Sequence, residues 1–175
     1  MYAAHLAAGL ALKAAVPKAP AWALLGGAFL PDFAWIALAG TGVEPADPAV
    51  FFDGWSHSLV SILVMATAFA LLFWRSEIKV RVAIWCAVAS HFVLDFLIHP
   101  KPLELYPHAA IRLGWDLWRW GEAKLWLGFS HYWWIQLAIT LGLLGVYLAL
   151  HRRAGIASNL AAASVIAVLG LHFLL

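Results

Sequence analysis

Long apolar runs recur along the chain, and each is closed by proline, glycine or a short basic turn, which is the pattern of successive apolar helices. The runs predict helices over residues 3–16, 21–39, 55–75, 79–98, 130–150 and 156–175. The first is marginal for a membrane crossing at ~1.5 Å per residue, and it ends at Pro17 and Pro20. The second carries Pro31-Asp32 inside its apolar run. Residues 40–54 are rich in glycine and proline and read as a loop.

Residues 99–129 break the pattern, with Pro100, Pro102, Pro107 and several charges. Trp115, Trp118, Trp120 and Trp126 fall here, and tryptophan favours the bilayer–water boundary. The segment 103–128 is therefore expected to lie at the interface, with one or two helices over 108–126.

Composition assigns these helices to a membrane. Of 175 residues, 65% are hydrophobic and 11% charged, against about 45–50% and about 25% in soluble domains. The expected fold is all-α, a single polytopic bundle of five to six membrane helices. No Lys or Arg precedes the first apolar run, and His5 and Lys13 interrupt it, so residues 1–16 are expected to stay in the mature protein. A net charge of +2 without a basic stripe argues against a nucleic-acid partner. The expected partner is membrane lipid, and oligomeric state is not legible. The single Cys86 allows no internal disulfide.

Lys13 and Lys18, then Arg75, Lys79 and Arg81, then Arg152 and Arg153 fall in alternate connections, which predicts that this face is cytoplasmic. With that orientation every histidine except His151 lands in the outer half of the bilayer or beyond it. Asp32 and Asp95 are buried carboxylates at similar depth on different helices. Such groups are costly in a membrane, and a shared cation or an imidazolium relieves their repulsion.

His91 and Asp95 are spaced i,i+4 and share a helix face, as do Asp53 and His57 if the helix begins early enough. His5, Asp32, His57, His91 and Asp95 are the candidate metal ligands. Histidine and carboxylate without cysteine suit Zn²⁺ first, with Mn²⁺ or Fe²⁺ as alternatives, and one or two ions fit such a set. The competing reading is a hydrogen-bonded network that includes Ser56, Ser58 and Ser90 and only orders the helices. His131 and His172 read as core residues, and His99 and His108 as solvated ones. No zincin, nucleophile-elbow or phosphate-loop motif occurs. A Ser56–His57 dyad is not expected, because neighbours in a helix do not face each other. Gly26-Gly27 suits close helix packing.

The order of His5, Gly27-Ala28-Phe29-Leu30-Pro31-Asp32, Trp55-Ser56-His57-Ser58-Leu59 and Ser90-His91-Phe92-Val93-Leu94-Asp95 resembles the YdjM-like membrane-bound metal-dependent hydrolases. That family is distantly similar to zinc-dependent phospholipases C. The resemblance implies that His5, Asp32, His57, His91 and Asp95 hold metal, that the reaction is hydrolysis of a phosphoester or lipid, and that the chain sits in a bacterial inner membrane. Phe52-Asp53 stands where the family writes His-Arg, so Asp53 is a candidate substitute ligand. Asp53 or Asp95 is the expected general base at an extracytoplasmic site. Arg112, Arg119 and Lys124 are weaker candidates for headgroup contacts. The rival expectations are a metal-binding or transport protein without turnover, and a structural or partner-binding membrane protein.

Overall fold

A computed structural model describes residues 2–45, 54–98, 103–114, 130–153 and 158–174. The described residues form eight helices and one small hairpin. These are α1 (Tyr2–Ala15), α2 (Ala21–Ala28), α3 (Leu30–Gly40), α4 (Gly54–His57), α5 (Leu59–Leu71), α6 (Ile78–Ile98), β1 (Leu103–Glu104), β2 (Arg112–Leu113), α7 (His131–Arg153) and α8 (Ser158–Leu174).

Two helices, α6 and α7, are long and apolar enough to cross a membrane, and α2 with α3 makes a third if the bent pair is one span. Composition and length thus support two to three crossings among the described residues, where the sequence pattern predicts five to six. The shortfall has local causes. Helix α1 has 14 residues, about 21 Å at 1.5 Å per residue against a hydrocarbon core of about 30 Å. The expected helix over 55–75 is cut at Ser58, whose extended backbone (φ −66°, ψ 152°) and side chain cap α5 at Ser61 N. The run over 21–39 bends by 56° at Phe29. Pro31 has no N–H to donate back to Gly27, so α2 closes with a tightened turn from Phe29 N to Gly26 O at 3.2 Å.

Helix α1 lies inside the bundle. Ala3, Ala4, Ala7, Ala8 and Ala14 are all buried on it, as expected of a helix that is apolar all round. One side packs with Leu144 of α7 and Val168 of α8, another with Leu94 of α6. A Cβ added at Gly9 would fall 2.9 Å from Leu25 Cδ2 and 3.3 Å from Leu24 O, so glycine sets the α1–α2 approach. Of the Gly26-Gly27 pair only Gly27 has this role. Its added Cβ would meet Val88 Cγ2 at 3.3 Å, whereas Gly26 faces open space. The α2–α6 seam is filled by Ala23, Leu24, Ile84 and Ala87, with Ala19 of the preceding turn, and the α5–α6 seam by Ile62, Ala66, Val88 and Phe92.

Val60, Val64 and Leu71 on α5, Val82 and Val93 on α6, Val146 on α7 and Ile166 and Phe173 on α8 are exposed. An apolar exterior on every long helix fits lipid as the surrounding medium. At one end, Lys18 pairs with Glu77, which joins the α1–α2 turn to the α5–α6 turn. Two of the basic connections therefore share a face, as the charge pattern predicts.

Residues 103–114 are a hairpin rather than the start of an interfacial helix. Leu103 pairs with Leu113 and Glu104 with Arg112. Pro107 and the left-handed His108 (φ 64°) turn the chain. Buried Glu104 holds the turn by accepting from His108 N at 2.7 Å and from Arg112 at 2.6 Å. Leu103 packs into the α5–α6 core, and Val60 N donates to Leu105 O at 3.0 Å. Residues 115–129, with most of the expected interfacial tryptophans, lie outside the described residues.

Candidate metal centre

The bend at Phe29 builds the first wall of the site. It puts Asp32 in the first turn of α3, the helix end that favours a carboxylate. It also leaves the Ala28 carbonyl at the last turn of α2 without a helical donor. His91 of α6 fills that vacancy, its Nδ1 lying 2.7 Å from Ala28 O. A carbonyl only accepts, so Nδ1 carries a proton, and in the neutral ring the lone pair is on Nε2.

Nε2 faces carboxylate oxygens. His91 Nε2 is 3.1 Å from Asp95 Oδ2 and 3.9 Å from Asp32 Oδ1. The i,i+4 spacing on α6 does bring His91 and Asp95 onto one face. From α1, His5 Nε2 reaches Asp95 Oδ1 at 3.3 Å, and the His5 and His91 rings stack at 4.0 Å with 4° between their planes. From α4, His57 Nε2 lies 3.5 Å from Asp32 Oδ1. All five predicted ligands therefore converge from α1, α3, α4 and α6.

They form two donor groups, His5–His91–Asp95 and Asp32–His57–His91, each with its ligand atoms within 4.8 Å of one another. Two ligands about 2.0–2.1 Å from a tetrahedral zinc ion stand roughly 3.3–3.5 Å apart. The separations of 3.1, 3.3 and 3.5 Å lie around that value. His91 Nε2, His5 Nδ1 and Asp32 Oδ2 are buried without a hydrogen-bond partner. An unsatisfied buried polar atom costs about 1–3 kcal/mol, and a cation held by the cluster would satisfy His91 Nε2 and Asp32 Oδ2. The donor chemistry fits a divalent metal, and the groups are positioned to hold one.

His57 is fixed from behind. Glu44, 1% exposed, accepts from Trp55 N at 2.8 Å, Ser56 N at 2.9 Å and Ser56 Oγ at 2.8 Å. Ser56 Oγ in turn lies 2.7 Å from His57 Nδ1. The Ser56–His57 contact, unexpected from the sequence, exists because α4 is a single turn that ends at Ser58. It does not make a nucleophile of Ser56. The residue is fully buried, and its hydroxyl proton goes to a carboxylate that would repel a developing oxyanion. The other two serines of the competing network bond locally, Ser58 to Ser61 and Ser90 to the Ala87 carbonyl.

Glu44 and the Ala28 carbonyl are the participants that sequence reasoning missed. Pro31 signals the break that opens Ala28. Nothing marks Glu44 beyond being an acid in the loop before Trp55-Ser56-His57. Asp53, His99, Arg119 and Lys124 lie outside the described residues. Arg112 is on β2 and engaged with Glu104. His172 packs on Trp133 and His151 on Tyr147, and neither belongs to a donor group among the described residues. No protein-family model, curated protein or solved structure matches the chain.

Proposed function

We propose that the chain is a membrane-embedded, metal-dependent hydrolase of the YdjM-like kind, acting on a phosphoester or lipid headgroup at the extracytoplasmic leaflet of a bacterial inner membrane. In this reading α1, α5 and α8 complete a bundle of five to six membrane helices. The single observation that carries it is the meeting of three imidazoles and two carboxylates from four helices, with His91 Nε2 turned onto carboxylate oxygens.

The reaction is addition of a water oxygen to phosphorus and departure of the ester oxygen with a proton, giving an alcohol and a phosphate or phosphomonoester. A bound divalent ion, zinc in the first instance, would supply Lewis acidity at the phosphoryl oxygen and a more acidic water. His5, His57 and His91 present ring nitrogens. Asp95 has both oxygens turned to histidines, which suits a ligand better than a general base, and leaves Asp53 as the base of this proposal. The Asp32 side chain, 24% exposed, is the most open of the five and marks the direction of substrate approach. Arg112, Arg119 and Lys124 are the proposed headgroup contacts.

A second reading, a metal-binding or transport protein without turnover, is favoured by the depth of the cluster, since His5 and His91 are each 1% exposed. Zinc-loaded protein assayed against soluble phosphoesters and micellar phospholipids separates the two. Turnover that disappears in His91→Ala is the expected result. Stoichiometric zinc with no turnover across the panel would leave the second reading.

A further inference from the structure

We propose that Ser56 and Glu44 are positioning residues that hold His57 in the Nδ1–H tautomer and so present its Nε2 to a divalent cation beside Asp32. The inference rests on the metal reading above and goes beyond it by assigning two residues outside the donor set.

The argument is one of proton accounting. Glu44 accepts at both oxygens, with the Trp55 and Ser56 amides on Oε1 and the Ser56 hydroxyl on Oε2. Ser56 has one hydroxyl proton, and it points at Glu44 Oε2, 2.8 Å away. The contact of 2.7 Å between Ser56 Oγ and His57 Nδ1 then needs its proton from the ring. With Nδ1 protonated, a neutral His57 carries its lone pair on Nε2, the atom 3.5 Å from Asp32 Oδ1. His91 reaches the same tautomer through the Ala28 carbonyl. Two histidines of one cluster, on different helices, are thus set the same way by different partners. Ligating histidines characteristically donate the other ring N–H to a carbonyl or a carboxylate, directly or through a linking group, and losing that partner costs 10–100-fold in metal affinity.

The placement also explains the sequence around the site. Gly54–His57 is only one turn long, so it has no ladder of its own to orient His57. The Glu44 carboxylate supplies the fixed point, binding two amides of that turn and, through Ser56, the ring.

The test is Co²⁺ titration of the detergent-purified chain, followed by its visible ligand-field bands, for wild type, Ser56→Ala, Ser56→Thr, His57→Ala and the Ser56→Ala/His57→Ala pair. Ser56→Ala keeps both amide bonds to Glu44, so it is the variant of choice over changes at Glu44 itself, and thermal melting confirms that each variant is folded. We expect Ser56→Ala to weaken Co²⁺ binding roughly 10–100-fold, Ser56→Thr to restore it, and Ser56→Ala to have no further effect once His57 is absent. ¹⁵N-histidine spectra of the metal-free protein should show His57 protonated at Nδ1 in wild type and as a tautomer mixture in Ser56→Ala. Equal Co²⁺ affinity in wild type and folded Ser56→Ala, or an Nε2–H tautomer in wild type, would overturn the positioning role and leave the metal centre standing. A wild-type chain that binds no Co²⁺ would remove the metal reading, and this inference with it.

Discussion

The two donor groups that meet at His91 differ in depth and in how they are built. His5–His91–Asp95 is buried throughout and rests on two packing seams, α1 against α6 and α1 against α7. Asp32–His57–His91 has one half-open member and rests on breaks in helices, the bend at Phe29 and the single turn of α4. The deep group is fixed by helix packing, the shallow one by capping and hydrogen bonds. A buried group beside a more accessible one suits a centre that holds a cation and still meets a ligand from one side.

His91 is the residue both groups need, so its loss should have the largest effect. His91→Ala is expected to abolish Co²⁺ binding altogether, whereas His5→Ala should leave a weaker site at Asp32 and His57. Titrations of the two variants that look alike would mean that the groups are not separable. Next in size is the contrast between the carboxylates. Asp95 is 5% exposed with a histidine on each oxygen, and breaking a buried charged pair costs about 3–5 kcal/mol. Asp95→Asn should therefore lower stability in denaturant far more than Asp32→Asn, whose group is partly open.

A smaller effect is expected from the seam that carries His5. Gly9→Ala pushes a methyl to within 2.9 Å of Leu25 and should cost about 1–3 kcal/mol by overpacking. Gly26→Ala, in open space, should be neutral or slightly stabilising in the same melts. Gly9→Ala should also weaken cation binding through the deep group and leave the His57 tautomer unchanged. The smallest effect is at the surface, where Lys18→Ala removes an exposed pair with Glu77. Melting and Co²⁺ affinity should both match wild type, and a change in either would mean that the two turns couple to the centre.

How much of this was legible in the sequence follows the same division. Helices α1, α6, α7 and α8 begin and end within two or three residues of the predicted runs, because long apolar periodicity reports directly on buried or lipid-facing helix. That these five residues meet was legible too, since charged and imidazole groups in apolar runs normally face the bundle interior and one another. Breaks were harder to place. Pro31 was visible as an interruption, but its consequence, a carbonyl opened to His91, depends on a neighbour 63 residues away. The cut at Ser58 and the hairpin at Leu103–Leu113 turn on single capping contacts, which periodicity averages over. Glu44 was invisible because its role is set by a contact with Ser56, 12 residues later.

The central claim is that the cluster holds a metal ion. Plasma mass spectrometry of the detergent-purified chain, beside a His91→Ala/Asp95→Ala variant, tests it most directly. Stoichiometric zinc, manganese or iron in wild type and none in a folded variant is the predicted result. No metal in wild type, and none taken up on titration with Zn²⁺, would contradict it and leave the five residues as a polar network that orders the helices.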